Sequence, residues 1–349
     1  MSIDLSVVQG GYLRDLLSQP AALQDTLNQL NPSKELLALA AQLKKGKFRS
    51  VVLTGMGSSF YALNPLLLQL AEAGFPAILV ETSELIYYRR RLLEDNSLVV
   101  AVSQSGQSVE MIRLLQKNRG RAALVAVTNT SHSPLARHSD ALVLTRAGEE
   151  FTVSCKTYVC ALLALKFLGD QLCGVPTSRI HKELETALPA VIQYLAAWEE
   201  QVQAQVPRLC GIRQLFLAGR GPSLAAVGTG ALILKESTQF PAEGLSSAAF
   251  RHGPFEMLGP ETLILIFAGD STTKSLNLRL FEDIQKQQGR VGFIAQDKTR
   301  DAFGLPLVPV SALPIVEILP IQMLTLALAA MVGREPGNFR FASKITTTE

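Results

Sequence analysis

Residues 97–109 read Ser97-Leu98-Val99-Val100-Ala101-Val102-Ser103-Gln104-Ser105-Gly106-Gln107-Ser108-Val109. The apolar run 97–102 is rich in valine, too short for a helix, and ends in a Ser/Gly cluster, which reads as a buried strand. A helical stretch opens near Val109. The same order of strand, small-residue loop and helix occurs upstream, where 49–54 ends in Gly55-Met56-Gly57-Ser58-Ser59. It occurs again downstream, where 122–127 ends in Thr128-Asn129-Thr130-Ser131. Such alternation predicts an α/β fold with a parallel, doubly wound sheet, helices on both faces, and ligand-binding loops at the carboxyl ends of the strands.

The pattern then restarts. Residues 214–218 lead into Gly219-Arg220-Gly221-Pro222-Ser223, 262–267 lead into Gly269-Asp270-Ser271-Thr272, and 291–295 form a short third run. The glycine loops at 55 and 219 are far enough apart to mark a duplicated domain, and 349 residues are ample for two. The expected organisation is a helical segment 1–45, a first domain 46–175, a helical linker 176–208 holding the single Trp198, a second domain 209–332, and an irregular tail 333–349.

Composition excludes several classes. Hydrophobic residues make up 48% and charged residues 18%, so a large core is available and disorder is not expected. The net charge of +3 is too small to mark a nucleic-acid binder, and Arg89-Arg90-Arg91 reads as a solvated helix end. Residues 312–333 are very apolar, but Pro314, Glu317, Pro320 and Gln322 interrupt them, so a buried helix is expected rather than a membrane span. Cys155, Cys160, Cys173 and Cys210 form no Cys-x-x-Cys pair, and without a signal peptide they read as reduced thiols of a cytoplasmic protein.

Three motifs bear on chemistry. Hydroxyls and unpaired backbone N–H groups at a helix N-terminus bind anions without a lysine, so Ser103 to Ser108 reads as a phosphate loop. One serine would suffice as a helix cap; three serines and two glutamines exceed that need. Gly55-Met56-Gly57, with Glu81 ending the next strand, invites a dinucleotide reading, but Phe60 replaces the third glycine of that fingerprint. No Gly-x-x-x-x-Gly-Lys loop is present, and the four histidines are scattered, so neither a nucleotide cofactor nor a metal is expected. Glu236, on the helix after the second glycine loop, and His252, in Arg251-His252-Gly253-Pro254, form a candidate base and acid; taken alone they are equally a surface carboxylate and a turn histidine.

Together these residues resemble two tandem sugar isomerase (SIS) domains. The likeness is greatest to the isomerase half of glucosamine-6-phosphate synthase and to stand-alone sugar-phosphate deaminases and fructosamine-6-phosphate deglycases. Leu17-Ser18-Gln19-Pro20, Gly57-Ser58-Ser59, Ser83-Glu84, Ser103-Gln104-Ser105-Gly106, Arg137-His138-Ser139-Asp140 and Lys156-Thr157 fall in family order. So do Gly219-Arg220-Gly221, Lys235-Glu236, Arg251-His252-Gly253-Pro254 and the tail from Ala342-Ser343-Lys344 to Glu349. The resemblance implies that Ser59, Ser103, Gln104, Ser105 and Ser108 hold a sugar phosphate and that Glu236 moves a proton between C1 and C2. It implies that His252, which in this family can come from the partner of a homodimer, assists ring opening or protonates the leaving group. Lys344 would meet the open-chain carbonyl.

Departures from the synthase point away from its chemistry. The chain starts with Met-Ser rather than with a cysteine after the methionine, Ile233 stands where the synthase has a lysine, and Thr229 where it has an acid. Ile233 lies one turn before Glu236 and should dry its surroundings, raising the carboxyl pKa. The expected activity is amine release from an amino-sugar phosphate or fructosamine 6-phosphate. The alternatives are an aldose–ketose isomerase, a glutamine-independent synthase relative, and a non-catalytic sugar-phosphate sensor; no DNA-binding segment accompanies the last.

Overall fold

In the computed structural model, residues 3–296, 302–341, 343–346 and 348 are described. Ala342 and Glu349, quoted above for the tail motif, lie outside them. The strands are β1 Ser50–Gly55, β2 Ala77–Glu81, β3 Ser97–Val102, β4 Ala123–Thr128, β5 Ala141–Leu144, β6 Gln214–Gly219, β7 Ala242–Ser246, β8 Thr262–Phe267, β9 Arg290–Ala295 and β10 Ala302–Gly304. They form two parallel sheets, ordered β2-β1-β3-β4-β5 and β10-β9-β8-β6-β7. Read from the other edge, the second order repeats the first, so the duplication inferred from the glycine loops is a duplication of topology. In each sheet the direction of winding reverses beside the first strand, the position at which such folds bind ligands.

Every residue of β3 is buried. Side chains alternate between faces along a strand, so this burial requires cover on both sides, as the unbroken apolar run predicts. On one face Val52, Val99 and Ala101 pack with Met111 and Leu114 of the helix Val109–Asn118. Phe216, Ile264 and Ile266 form the matching core of the second sheet with Leu280, Phe281 and Ile284 of the helix Lys274–Lys286.

The chain divides into two compact units. One holds residues 21–150, 156–184 and 341–349 and contains the first sheet; the other holds 1–20, 151–155 and 185–340 and contains the second. The units therefore do not follow the linear order of the boundaries drawn from sequence. Within the second-sheet unit, Gln19 and Gln322 exchange side-chain hydrogen bonds of 2.9 and 3.0 Å, and Thr152 Oγ1 donates to Asp15 at 3.2 Å. These contacts fasten the first twenty residues to the later half of the chain.

The segment 310–331 is long and apolar enough to cross a membrane by length and composition, and 94% of its apolar window is buried. It ends in the helix Leu319–Met331, which packs against Trp198–Leu209 and Leu224–Thr238 of the same unit. Arg89, Arg90 and Arg91 are all exposed, just past the helix Thr82–Tyr88. All four cysteines are free thiols.

Candidate phosphate loop and acid–base residues

Strands β1 and β3 are hydrogen-bonded neighbours, with Gly55 opposite Val102. Their following loops therefore leave the sheet side by side, which brings Ser59 to the same edge as Ser103–Ser108. Gly55 is required there: a Cβ on it would come within 3.0–3.2 Å of the Ser59 and Phe60 backbone. The turn into the helix Gly57–Tyr61 is thus tightened by one glycine at the strand end, with Phe60 half-buried beyond it.

The Ser103–Ser108 loop is held by its own side chains and by the loop after β4. Ser103 Oγ accepts from Gly106 N at 3.1 Å and Ser105 Oγ accepts from Gln107 N at 3.4 Å. Both serines are 9% exposed. A hydroxyl carries one donor and two acceptor positions, so these contacts leave each proton able to donate outward. Gly106 has φ +62°, and a Cβ there would lie 2.2 Å from Ser133 Oγ. The Gln104 carbonyl accepts from Asn129 N and Thr128 Oγ1, each at 3.1 Å. Ser108 is the N-cap residue of the helix Val109–Asn118, yet its side chain makes no capping bond. A helix N-terminus with an uncommitted serine, beside hydroxyls whose protons are available to donate, suits an anionic ligand.

The tail meets this site. Thr346 O accepts from Val109 N at 3.1 Å, and Lys344 Nζ donates to Glu150 Oε2 at 2.6 Å. Glu150 is fully buried and also accepts from Thr157 N at 3.1 Å and Thr157 Oγ1 at 2.6 Å. Sequence reasoning named Lys344 and passed over Glu150, since a carboxylate between Gly148 and Phe151 carries no local signal of its partner. Glu110, in the first turn of the same helix, was also missed; it is buried and its Oε2 has no hydrogen-bond partner.

Glu236 and His252 belong to the second-sheet unit. Glu236 is half-buried near the end of the helix Leu224–Thr238. Ile233, one turn earlier, is 0% exposed and lies in the core. His252 is exposed on a turn, its N–H donating to Ala249 O at 2.9 Å, and Gly253 follows at φ +128°. The turn is anchored by Arg251, whose Nη2 lies 2.8 Å from Asp283 Oδ2 and holds that carboxyl below the usual range. Ser59, Ser103, Gln104, Ser105, Ser108 and Lys344 thus share one compact unit, and Glu236 and His252 the other. No group of three or more His, Cys, Asp or Glu side chains suited to a metal occurs among the described residues.

Two like-ordered parallel sheets, with a serine-rich loop at the switch point of the first, define a duplicated doubly wound α/β architecture. Residues 33–169 match the SIS domain family, and that stretch of the chain is a SIS domain. It is 30% identical over 360 residues to the isomerizing glutamine–fructose-6-phosphate aminotransferase of Pyrococcus horikoshii. That alignment covers 98% of this chain and 59% of the relative, so the chain spans about three-fifths of that protein's length. The C-terminal domain of glucosamine-fructose-6-phosphate aminotransferase from Francisella tularensis superposes with a TM-score of 0.84 at 22% identity, covering 96% of this chain and 100% of that one. Glucosamine-6-phosphate deaminase from Thermotoga maritima superposes at 0.75 with 18% identity, covering 97% of this chain and 100% of that one. At these identities the two structures bear on the fold alone.

Proposed function

We propose that the protein binds a phosphorylated amino sugar or sugar–amine adduct in open-chain form and releases the amine. The observation that carries the reading is the serine loop. Ser103 and Ser105 are almost wholly buried, each accepting one bond from a loop N–H and keeping its proton to donate, and Ser108 caps no amide. Ser59, Ser103, Gln104, Ser105 and Ser108 take the phosphate. Glu236 is the base that moves the proton between C1 and C2, His252 is the acid toward the leaving amine, and Lys344 contacts the carbonyl once it leaves Glu150. The likeness to the aminotransferase supports C1–C2 proton transfer, and Ile233 in place of an amine supports release over transfer. The protein acts as a homodimer in which His252 serves the partner's site.

The test is a screen of phosphorylated amino sugars and fructosamine 6-phosphates for amine release by the purified chain, without glutamine, nucleotide or metal. The expected result is release from at least one substrate, abolished in Glu236→Gln. Turnover of ketose to aldose phosphates with no amine released from any substrate would instead favour the isomerase reading.

A further inference from the structure

The second-sheet unit repeats the loops of the first but fills them differently. Ser223 follows the glycines after β6 as Ser59 follows those after β1, and Gly269–Thr273 after β8 stands where Ser103–Ser108 stands after β3. Ser223 is 1% exposed and its Oγ donates to Glu317 Oε1 at 2.6 Å. A Cβ built on Gly269 would lie 3.2 Å from Thr273 Oγ1, 3.5 Å from Ser223 Oγ and 3.6 Å from Asn277 Nδ2. These polar groups therefore converge beside Gly269 at the carboxyl edge of the sheet.

Their hydrogen bonding is incomplete. Thr273 Oγ1, Asn277 Oδ1 and Glu317 Oε2 are buried without a partner, and so are Arg220 Nε, in the loop after β6, and Ser247 Oγ, just after β7. Asn277 is 0% and Glu317 1% exposed, and the Asn277 amide is oriented by its Nδ2–H bond to Ala268 O at 3.2 Å. A buried polar atom left unpaired is costly, so several of them call for a ligand or ordered water. The loops after β6 and β8 contribute Arg220, Gly221, Asp270 and Thr273, all half-buried.

We propose that this cluster, at the switch point of the second sheet, is a separate binding site for an uncharged hydroxylated ligand, the chemistry of a sugar or polyol without a phosphate. The unpaired set mixes donors, from Arg220 and the hydroxyls, with an acceptor, Asn277 Oδ1. A sugar hydroxyl both donates and accepts and so can complete both kinds. An anion would meet Asp270. A cation would meet Arg220 and the N-terminal end of the helix Lys274–Lys286. Burial pushes Glu317 up to about 8, so at neutral pH it is a neutral acid that can donate from Oε2. The inference does not depend on the amine-releasing reading.

Calorimetry on the full chain tests it, with D-glucitol as the probe and saturating inorganic phosphate present to occupy the first-sheet loop. The expected result is saturable binding at one site per chain, weakened at least ~10-fold by Asn277→Asp and unchanged in Ser105→Ala. Glu317→Met, similar in volume but without a hydrogen-bonding head, should weaken it too, and serves if Asn277→Asp does not fold. Absence of saturable glucitol binding would show that the cluster holds only water and would overturn the proposal. Binding lost in Ser105→Ala but kept in a folded Glu317→Met would place the polyol in the first-sheet unit and overturn it equally.

Discussion

Removing the tail lysine tests whether the C-terminal segment is fastened by one buried ion pair. Lys344 Nζ lies 2.6 Å from Glu150 Oε2, with the lysine side chain 24% exposed and the glutamate 0%. At that separation and an effective dielectric near 20, the gross attraction is on the order of 6 kcal/mol. Withdrawing the carboxylate from water offsets several kcal/mol of it. The Thr157 N–H and hydroxyl remain on Glu150 in either case. Lys344→Met removes a counter-charge from a buried carboxylate and should cost about 3 kcal/mol, the lower end for a broken buried pair. Glu150→Gln keeps a carbonyl acceptor for Thr157 and should cost less. In a double-mutant cycle read by urea denaturation, the coupling should be about 1–3 kcal/mol. Carboxypeptidase should trim Lys344→Met faster, because releasing the tail lets water reach Glu150. A coupling below about 0.5 kcal/mol, with trimming unchanged, would refute the reasoning and leave the pair an incidental surface contact.

Further outcomes follow from the same geometry. Ser105→Ala should weaken binding of a sugar phosphate by roughly 10- to 150-fold in calorimetry, since a hydrogen bond to a charged group contributes about 1.5–3 kcal/mol. Gly106→Ala should abolish that binding and lower the melting temperature, because the backbone sits at φ +62° and the new Cβ would meet Ser133 Oγ at 2.2 Å. Glu236→Gln should reduce turnover about 10²–10⁴-fold on a verified substrate while binding persists. Burial raises Glu317 from 4.5 to about 8, with Ser223 opposing the rise and Asp270 adding to it. Between those values the folded chain keeps a proton that the unfolded chain has lost, so denaturation should show stability falling as pH rises across that window. Glu317→Gln should flatten the dependence.

The sheets were legible because their central strands are covered on both faces. Residues 97–102, 123–128 and 262–267 carry unbroken apolar runs, and the structure places strands there to within a residue of expectation. Of the edge strands, β2 was read from Glu81 at its end, whereas β5 and β7 were not legible. β7 runs Ala242-Glu243-Gly244-Leu245-Ser246 with no fully buried residue, and β6 fixes it where its own propensity is weak. β5 has four residues and borders only β4. The serine loop was readable because hydroxyls at a helix start are a local pattern. Glu150 and Glu110 were not, because their significance rests on burial and on partners distant in sequence.

The two sheets show how one loop position takes opposite chemistry from small changes. After β3 the chain places Ser103, whose hydroxyl folds back onto Gly106 N, and ends in Ser108 with its side chain uncommitted. After β8 the equivalent turn is made by Asp270, whose Oδ1 accepts from Thr272 N at 3.0 Å and whose carbonyl accepts from Lys274 N at 3.0 Å. The carboxylate lies in the turn that leads into the helix Lys274–Lys286, where it would repel a phosphate. The paired serine differs in the same sense, since Ser223 is consumed by Glu317. Glu317 lies in the segment 310–331, whose apolar burial explains why its carboxyl stays protonated. The acid that interrupts an otherwise apolar stretch is therefore an inward-facing group, and its burial separates the second site's preference from the first.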